Sequence, residues 1–221
     1  MSVRIYGALF GAISLLSACD AAGTNTPTQD ALTTTEFRIP NADGSFNVNF
    51  RQSTLPQTYR TSSGSSSGYS FQAGSINEEG LFAVAGILPG SFVTDPPRTG
   101  TAAYVGTYNL VTIDDIRFQT NAATGEREII GQPTLVGGNL TLLANFDDNR
   151  IYDNGAGSLD VEGTVNGKDI GGTVTYNGVQ GNLDGLIGGN RAIGAFHGEG
   201  NVGPGTDDDY MYAGGFIANP N

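Results

Sequence analysis

Hydrophobic and polar residues alternate along most of the second half of the chain. Between residues 101 and 218, successive runs place apolar side chains at every second position, with Asp, Glu, Asn and Thr between them. The run from Leu159 to Val165 is the clearest, because Asp160, Glu162 and Thr164 separate its apolar residues. A period of two is typical of strands with one buried and one solvated face. The pattern predicts about eight antiparallel strands and no helix in this region.

Tight-turn sequences separate these strands. Asn166-Gly167, Asn177-Gly178 and Gly188-Gly189-Asn190 lie between successive runs, and residues 121–125 lie between two others. Asn and Gly adopt the positive φ values that short hairpin loops need. A meander of this size normally closes into a barrel, because closure removes the edges of the sheet. We therefore predict an all-β fold, with an up-and-down antiparallel β-barrel of about eight strands over residues 101–218.

The preceding region, residues 36–100, has shorter and less regular apolar runs. Residues 46–50 alternate apolar side chains with asparagines, and residues 81–88 form an apolar run that Gly86 interrupts. Asp95-Pro96-Pro97 then stops any strand and is typical of a domain boundary. We expect residues 36–100 to form a small β-rich segment in front of the barrel.

The N-terminus carries the features of an exported lipoprotein. Arg4 precedes an apolar run over residues 5–16, which is shorter than the roughly 20 residues that span a bilayer. Leu16-Ser17-Ala18-Cys19 follows and matches a lipobox, in which the cysteine is acylated and the preceding signal is removed. We expect residues 1–18 to be a signal peptide, Cys19 to be the lipidation site, and the small polar residues 19–35 to form a flexible tether.

Composition excludes several classes of function. The formal net charge is −12, which argues against nucleic-acid binding because such proteins cluster Lys and Arg. Cys19 is the only cysteine, so disulfides and cysteine-based metal clusters are excluded. Nucleotide-binding fingerprints and a nucleophile-elbow motif are absent from the sequence. These observations give no positive evidence for an enzyme, and we expect neither catalysis nor a cofactor.

A few side chains are candidates for chemistry or recognition. His197 is the only histidine and is a candidate haem ligand, but the sequence shows no partner for it and favours a strand-end residue facing water. Tyr210 and Tyr212, with Tyr104 and Tyr108, are candidate partner contacts, whereas core and rim packing is the simpler interpretation.

Two acidic segments are candidate metal sites. Asp207, Asp208 and Asp209 are consecutive, and Asp147-Asp148-Asn149 with Asp153-Asn154-Gly155 is a second acidic group. Carboxylate oxygens are preferred calcium ligands. Neither segment has the spacing of an established calcium loop, so solvated acidic loops are the favoured interpretation.

Three short motifs resemble those of a known family. Gly100-Thr-Ala-Ala-Tyr-Val-Gly-Thr-Tyr108 resembles the opening of the barrel domain in transferrin-binding protein B-like surface lipoproteins. Ile193-Gly-Ala-Phe-His-Gly198 and Tyr212-Ala-Gly-Gly-Phe216 resemble the closing strands of that domain. The motifs occur in the same order, downstream of a lipobox. The resemblance covers the barrel region and implies an eight-stranded barrel behind a smaller handle.

The resemblance also implies a function and a location. Members of that family are lipid-anchored proteins at the surface of Gram-negative bacteria that capture a protein or a protein-bound nutrient. We expect this chain to be anchored through acylated Cys19 in the outer membrane, at the cell surface. The alternatives are the periplasmic face, or the inner membrane because of Asp20. The expected contacts lie in residues 145–157 and 198–209, because recognition residues concentrate on loops. The alternative is a carrier that holds an apolar ligand or haem in the barrel mouth near His197.

Overall fold

The computed structural model of the chain describes residues 32–48, 59–76, 80–120, 122–123, 125, 127–155, 157–200 and 210–221. These residues form twelve β-strands and no helix. The strands are β1 (Leu32–Phe37), β2 (Tyr59–Ser65), β3 (Tyr69–Ile76), β4 (Gly80–Ile87), β5 (Thr101–Thr120), β6 (Arg127–Asn145), β7 (Arg150–Asp153), β8 (Leu159–Asn166), β9 (Asp169–Tyr176), β10 (Val179–Ile187), β11 (Ala192–Gly200) and β12 (Tyr210–Pro220). Within the described residues, no helix is long and apolar enough to cross a membrane.

The last eight strands form a closed antiparallel barrel in chain order. Each strand from β5 to β11 pairs with the next, and β12 closes the barrel by pairing with β5. Apolar side chains at alternate positions point inward, as in β8, where Leu159, Val161 and Val165 are buried and Asp160 and Glu162 are exposed. The predicted fold class and barrel are therefore confirmed.

The hairpin turns lie close to their predicted positions. Asn177 and Gly178 have φ values of 48° and 79°, and two successive positive values define a type I′ turn. The turn after β8 is displaced by one residue from the predicted Asn166-Gly167 pair, because Asn166 still pairs with Asp169. The two loop residues are Gly167, with φ 64°, and Lys168.

The small predicted segment is a four-stranded sheet in the order β1-β4-β3-β2, with β1 parallel to β4. β1 begins at Leu32, inside the range expected to be a tether. The apolar run of β4 is buried on both faces. Ala83 and Ala85 face the barrel, whereas Phe82 and Val84 pack against Val48.

The small sheet packs on one side of the barrel, and the two belong to one compact unit. Ile193 of β11, Met211 of β12 and Ile113 of β5 share a buried cluster with Tyr69 and Phe71 of the sheet. We call the outer surface of β11, β12 and residues 109–113 of β5 the covered wall. We call the outer surface of β7 and β8, with residues 101–107 of β5 and residues 139–145 of β6, the open wall.

The connection between sheet and barrel runs across one end of the barrel. Arg191 donates through Nη2 to the carbonyl oxygen of Phe92 at 2.7 Å, and the amide of Thr94 donates to Oδ1 of Asn190 at 2.8 Å. The Lys168 ammonium lies 2.8 Å from the Asp95 carboxylate. These contacts fix the connection on the barrel, although Asp95 and Lys168 are solvent-accessible and their pair adds little stability.

Candidate functional site

The barrel interior is filled by side chains. Its buried cluster combines branched aliphatic residues with aromatic rings from β5, β9, β11 and β12. The rings are those of Tyr104, Tyr108, Tyr176, Phe196, Tyr212 and Phe216. An eight-stranded barrel has an interior that side chains can fill or that holds one small ligand, and this barrel is the filled kind over its described residues.

Tyrosines close the end of the barrel at which β9 joins β10. The hydroxyl of Tyr212 donates to the carbonyl oxygen of Val174 at 2.8 Å, and its ring is fully buried. Tyr176 stacks on Tyr210 with ring centroids 6.5 Å apart. Asn177 donates through Nδ2 to the Tyr210 hydroxyl at 3.4 Å.

These contacts correct the view of Tyr212 as a partner contact. A side chain that is 0 % exposed cannot touch another molecule without unfolding the rim. Tyr210 is half-buried and packs at the same rim. Burial raises the pKa of both hydroxyls, so both stay protonated at neutral pH. Core and rim packing, the simpler alternative from the sequence, describes Tyr212.

His197 occupies a different place from the one expected. It is 6 % exposed, and its ring lies edge-on to Phe37 of β1 with centroids 4.5 Å apart. Its Nδ1 is buried with no hydrogen-bond partner in the described residues. Burial lowers its pKa from 6.5 to about 4, against a smaller opposing effect of Glu36. The favoured interpretation as a water-facing residue was therefore wrong.

The direction of His197 also bears on the carrier alternative. Along β11, Phe196 points into the barrel core, whereas Ile193 and Ala195 point out toward the small sheet. His197 has the parity of Ile193 and Ala195, so it lies outside the barrel, between β11 and β1. It cannot ligate a molecule held in the barrel mouth.

Three other predicted sites have different outcomes. Cys19 and Asp207, Asp208 and Asp209 lie outside the described residues. The amide of Asp147 donates to Oδ1 of Asn145 at 3.0 Å, and Asn145 donates to Oδ2 of Asp148 at 2.6 Å, which is the pattern of a closed turn. Among the described residues, no group of three or more His, Cys, Asp or Glu is placed to hold a metal.

Within the expected recognition loop over residues 145–157, a turn over residues 146–149 leads into a strand. Residues 150–153 form β7, which pairs with β6 from Asn145↔Arg150 to Leu142↔Asp153. The sequence signal for β7 was weak, because only Ile151 of its four residues is fully buried. This region contributes to the open wall rather than to a long loop.

Apolar side chains are exposed on the open wall. Val105 of β5 is 45 % exposed, and Tyr152 of β7 is 39 % exposed. Ala103 and Leu143 lie between them, because Ala103 pairs with Leu143 and Leu143 pairs with Tyr152. All four point outward and form one continuous group, which we call the wall patch. Contiguous exposed apolar groups mark interaction sites more often than isolated ones do.

Carboxylates lie beside the wall patch. Glu162 of β8 pairs with Tyr152 and receives a hydrogen bond of 3.0 Å from Nη2 of Arg150. Desolvation, followed by hydrogen bonding and repulsion from Asp153, raises the pKa of Asp160. Asp153 and Asp160 are therefore close neighbours at the end of β7, and this part of the open wall is anionic.

A surface cleft of about 400 Å³ lies at the opposite end of the barrel. Pro96, Phe146 and Val165 line it together with Lys168 and Arg98. The Lys168 ammonium is already paired with Asp95, so a ligand would have to displace that carboxylate.

Comparison with known proteins gives only distant similarity. No protein-family model and no curated protein matches the chain. The apo crystal structure of haemoglobin receptor HpuA from Kingella denitrificans is 16 % identical, with a TM-score of 0.31. The crystal structure of HpuA from Kingella denitrificans in complex with human haemoglobin is 15 % identical, with a TM-score of 0.33. Each comparison covers 70 % of this chain and 55 % of the other, so the chain spans about half the length of these proteins.

Proposed function

We propose that this protein is a lipid-anchored envelope protein that binds a protein, or a nutrient carried by a protein, on its outer surface. The observation that carries the proposal is the contrast between a barrel interior filled by side chains and a wall patch that stays exposed. A filled barrel is a scaffold and leaves its surface as the place for recognition. Binding rather than catalysis, without a cofactor, is part of the proposal.

The anchor follows from the N-terminus. The Leu16-Ser17-Ala18-Cys19 sequence supports acylation of Cys19 after removal of residues 1–18. The described fold begins at Leu32, so a short segment separates the acylated residue from β1. The outer leaflet of the outer membrane is the proposed location, because a partner-binding surface there meets molecules from outside the cell.

The wall patch suits protein recognition. Val105, Leu143 and Tyr152 are held on paired strands, so little conformational entropy is lost when a partner covers them. Tyrosine is enriched in interface hot spots, and an apolar centre with a polar rim is the usual anatomy of an interface. Arg150, Glu162 and Asp160 provide that rim.

The first experiment tests the anchor and the location. Cys19→Ala should leave the protein unprocessed or release it from the membrane, and protease added to intact cells should digest the wild type. Wild type that resists protease until the outer membrane is broken would contradict surface location. A Cys19→Ala variant that stays membrane-bound at mature size would contradict the anchor.

The second experiment tests the contact surface. Capture of a partner by the purified chain should be lost in Val105→Asp and in Tyr152→Asp, because a carboxylate within the wall patch must be desolvated on binding. Asn182→Asp is the matched control, since it adds the same charge at an exposed strand position of β10. Equal capture by all three variants would contradict the assignment of the wall patch.

A further inference from the structure

We propose that the unpaired edge of β6 binds an extended, lysine- or arginine-bearing segment of a partner protein as an additional β-strand. The inference rests on the proposed binding function and identifies how the partner is held. In this mode, main-chain hydrogen bonds supply affinity and the flanking side chains supply specificity.

The edge exists because β7 is much shorter than its neighbour. β6 spans 19 residues, whereas β7 spans 4 and pairs only with residues 142–145 of β6. On the other side, β5 pairs with β6 from one end of both strands to the other, with a register shift between Asp114 and Arg117. Among the residues that the structure describes, no strand pairs with residues 131–141 of β6 on the side of β7.

The direction of the peptide groups follows from one hydrogen bond. The amide of Asn154 donates to the carbonyl oxygen of Thr141 at 3.1 Å, so the peptide groups of Thr141 face the side of β7. In an antiparallel strand both backbone groups of a residue point the same way, and the direction alternates along the chain. The N–H and C=O of Leu135, Gly137 and Asn139 therefore face the unpaired side.

The position of Pro133 is consistent with these directions of the peptide groups in β6. Proline has no N–H and is found in sheets where that group would face away from a neighbouring strand. Pro133 has the same parity as Leu135 and still pairs in register with Ile113 of β5. The free stretch ends near Asn139, because Gly157 lies beside the Asn139 carbonyl oxygen. The available edge is therefore residues 131–138.

The side chains along this edge leave room for a second backbone. Gly137 and Gly138 carry none, and Leu135 is 53 % exposed beside them. An edge of this kind is a template for strand addition. Among residues 131–138, only Pro133 restricts pairing with an added strand, and it removes a single backbone N–H donor.

Charge selects the kind of partner. A strand added to residues 131–138 would end near Gly157, on the same edge of β6 as Asp153, which pairs with Leu142 and adjoins Asp160. The chain as a whole carries −12. A cationic segment complements this surface, whereas a second copy of the chain would bring like charge to it.

The test uses the intact mature chain and synthetic probes. An eight-residue peptide alternating Thr and Lys is titrated, with a Thr–Glu peptide as the charge control and an N-methylated Thr–Lys peptide as the backbone control. Amide NMR shifts should concentrate on residues 131–139 with the Thr–Lys peptide. Removal of a main-chain donor from the peptide should weaken binding about tenfold, as expected for one or more lost interstrand hydrogen bonds.

A matched pair of variants tests the edge from the side of the protein. Leu135→Pro removes one edge donor at a position of the same parity as Pro133, so pairing with β5 should be kept. Leu135→Ala shortens the same side chain but retains the N–H. Affinity for the Thr–Lys peptide should fall about tenfold in Leu135→Pro and change less than about twofold in Leu135→Ala.

Several results would overturn the proposal. One is the absence of binding by the Thr–Lys peptide, and another is equal binding by the N-methylated or Thr–Glu peptide. Equal losses of peptide affinity in both Leu135 variants, or a wild-type dimer that dissociates in Leu135→Pro, would overturn it as well. Partner capture by the wild type that persists in Leu135→Pro would overturn the edge while leaving the proposed function standing. Peptide binding without any partner capture would contradict the proposed function instead.

Discussion

The covered and open walls of the barrel are built from the same strand geometry but have different burial patterns. β8 on the open wall alternates buried and exposed residues along its whole length. β11 on the covered wall is buried at every position from Ala192 to Gly198. The outward residues Ile193 and Ala195 of β11 are as inaccessible as its inward Phe196, because the small sheet lies over them.

This difference implies that the covered wall contributes mainly to stability and the open wall mainly to recognition. On the covered wall, outward side chains belong to a second core and should tolerate little change. On the open wall, outward side chains face water, so substitutions of Val105 and Tyr152 should cost less packing than those on the covered wall. The wall that the small sheet leaves uncovered is also the one that carries the wall patch.

The largest expected effect is a cavity under the small sheet. Ile193→Ala should lower the free energy of unfolding by about 3 kcal/mol, because Ile193 is fully buried against Gly68. Val105→Ala, at an outward position that is 45 % exposed, should lower it by about 0.5 kcal/mol. Urea unfolding of both variants measures the difference. Similar losses in the two would show that the walls do not differ as described.

A second effect depends on pH. His197 has a folded-state pKa of about 4 and an ordinary value of 6.5, so the unfolded chain takes up its proton first. This contribution is fully present above about pH 6.5 and is lost as pH falls toward 4, with an upper bound of about 3 kcal/mol.

The variant His197→Leu isolates that contribution. Carboxyl groups also titrate in this window, so the quantity to compare is the difference in unfolding free energy between wild type and variant at each pH. The wild type should lose stability relative to His197→Leu as the solution is acidified from pH 7 to 4. Parallel pH profiles would show that His197 is not buried under β1.

A third effect comes from a glycine at the contact between sheet and barrel. A Cβ on Gly215 would lie 2.3 Å from the Tyr69 ring and 2.6 Å from the Gly194 carbonyl oxygen. Gly215→Ala should therefore cost about 2 kcal/mol through overpacking. Gly171→Ala on β9 is the matched control, since no atom lies within 4 Å of its Cβ position. Thermal unfolding should show a lower Tm for Gly215→Ala alone.

The smallest effect is expected for the ion pair of the open wall. Arg150 and Glu162 have side chains that are 57 % and 68 % exposed, so water screens their attraction. Arg150→Met should change the free energy of unfolding by less than about 0.5 kcal/mol. A loss as large as that of Gly215→Ala would mean that this wall is also covered, which would contradict the proposed contact surface.

The strands and turns of the barrel could be predicted because their signals are local. The strand over residues 159–165 could be predicted because one buried face already produces alternation in the sequence. The turn at Asn177-Gly178 could be predicted because these two residues themselves favour positive φ values. The apolar run of residues 81–88 predicted a strand for the same reason. β7 was missed because four residues carry too little periodicity to be distinguished from a loop.

The position of His197 and Tyr212 could not be predicted in the same way. Both lie on correctly predicted strands, but exposure depends on what packs across each face. Phe37 covers His197 from β1, and Val174 accepts the Tyr212 hydrogen bond from the opposite side of the rim. Such partners are distant in sequence, and a single chain carries no local signal for them.

The sequence by itself therefore determined that this is an all-β chain with an eight-stranded barrel, because hydrophobic period and turn chemistry are properties of neighbouring residues. Only the tertiary structure decided which wall the small sheet covers, that side chains fill the barrel, and that β6 extends beyond the end of β7. These features depend on side-chain volumes and on strand register, which are set when distant segments meet.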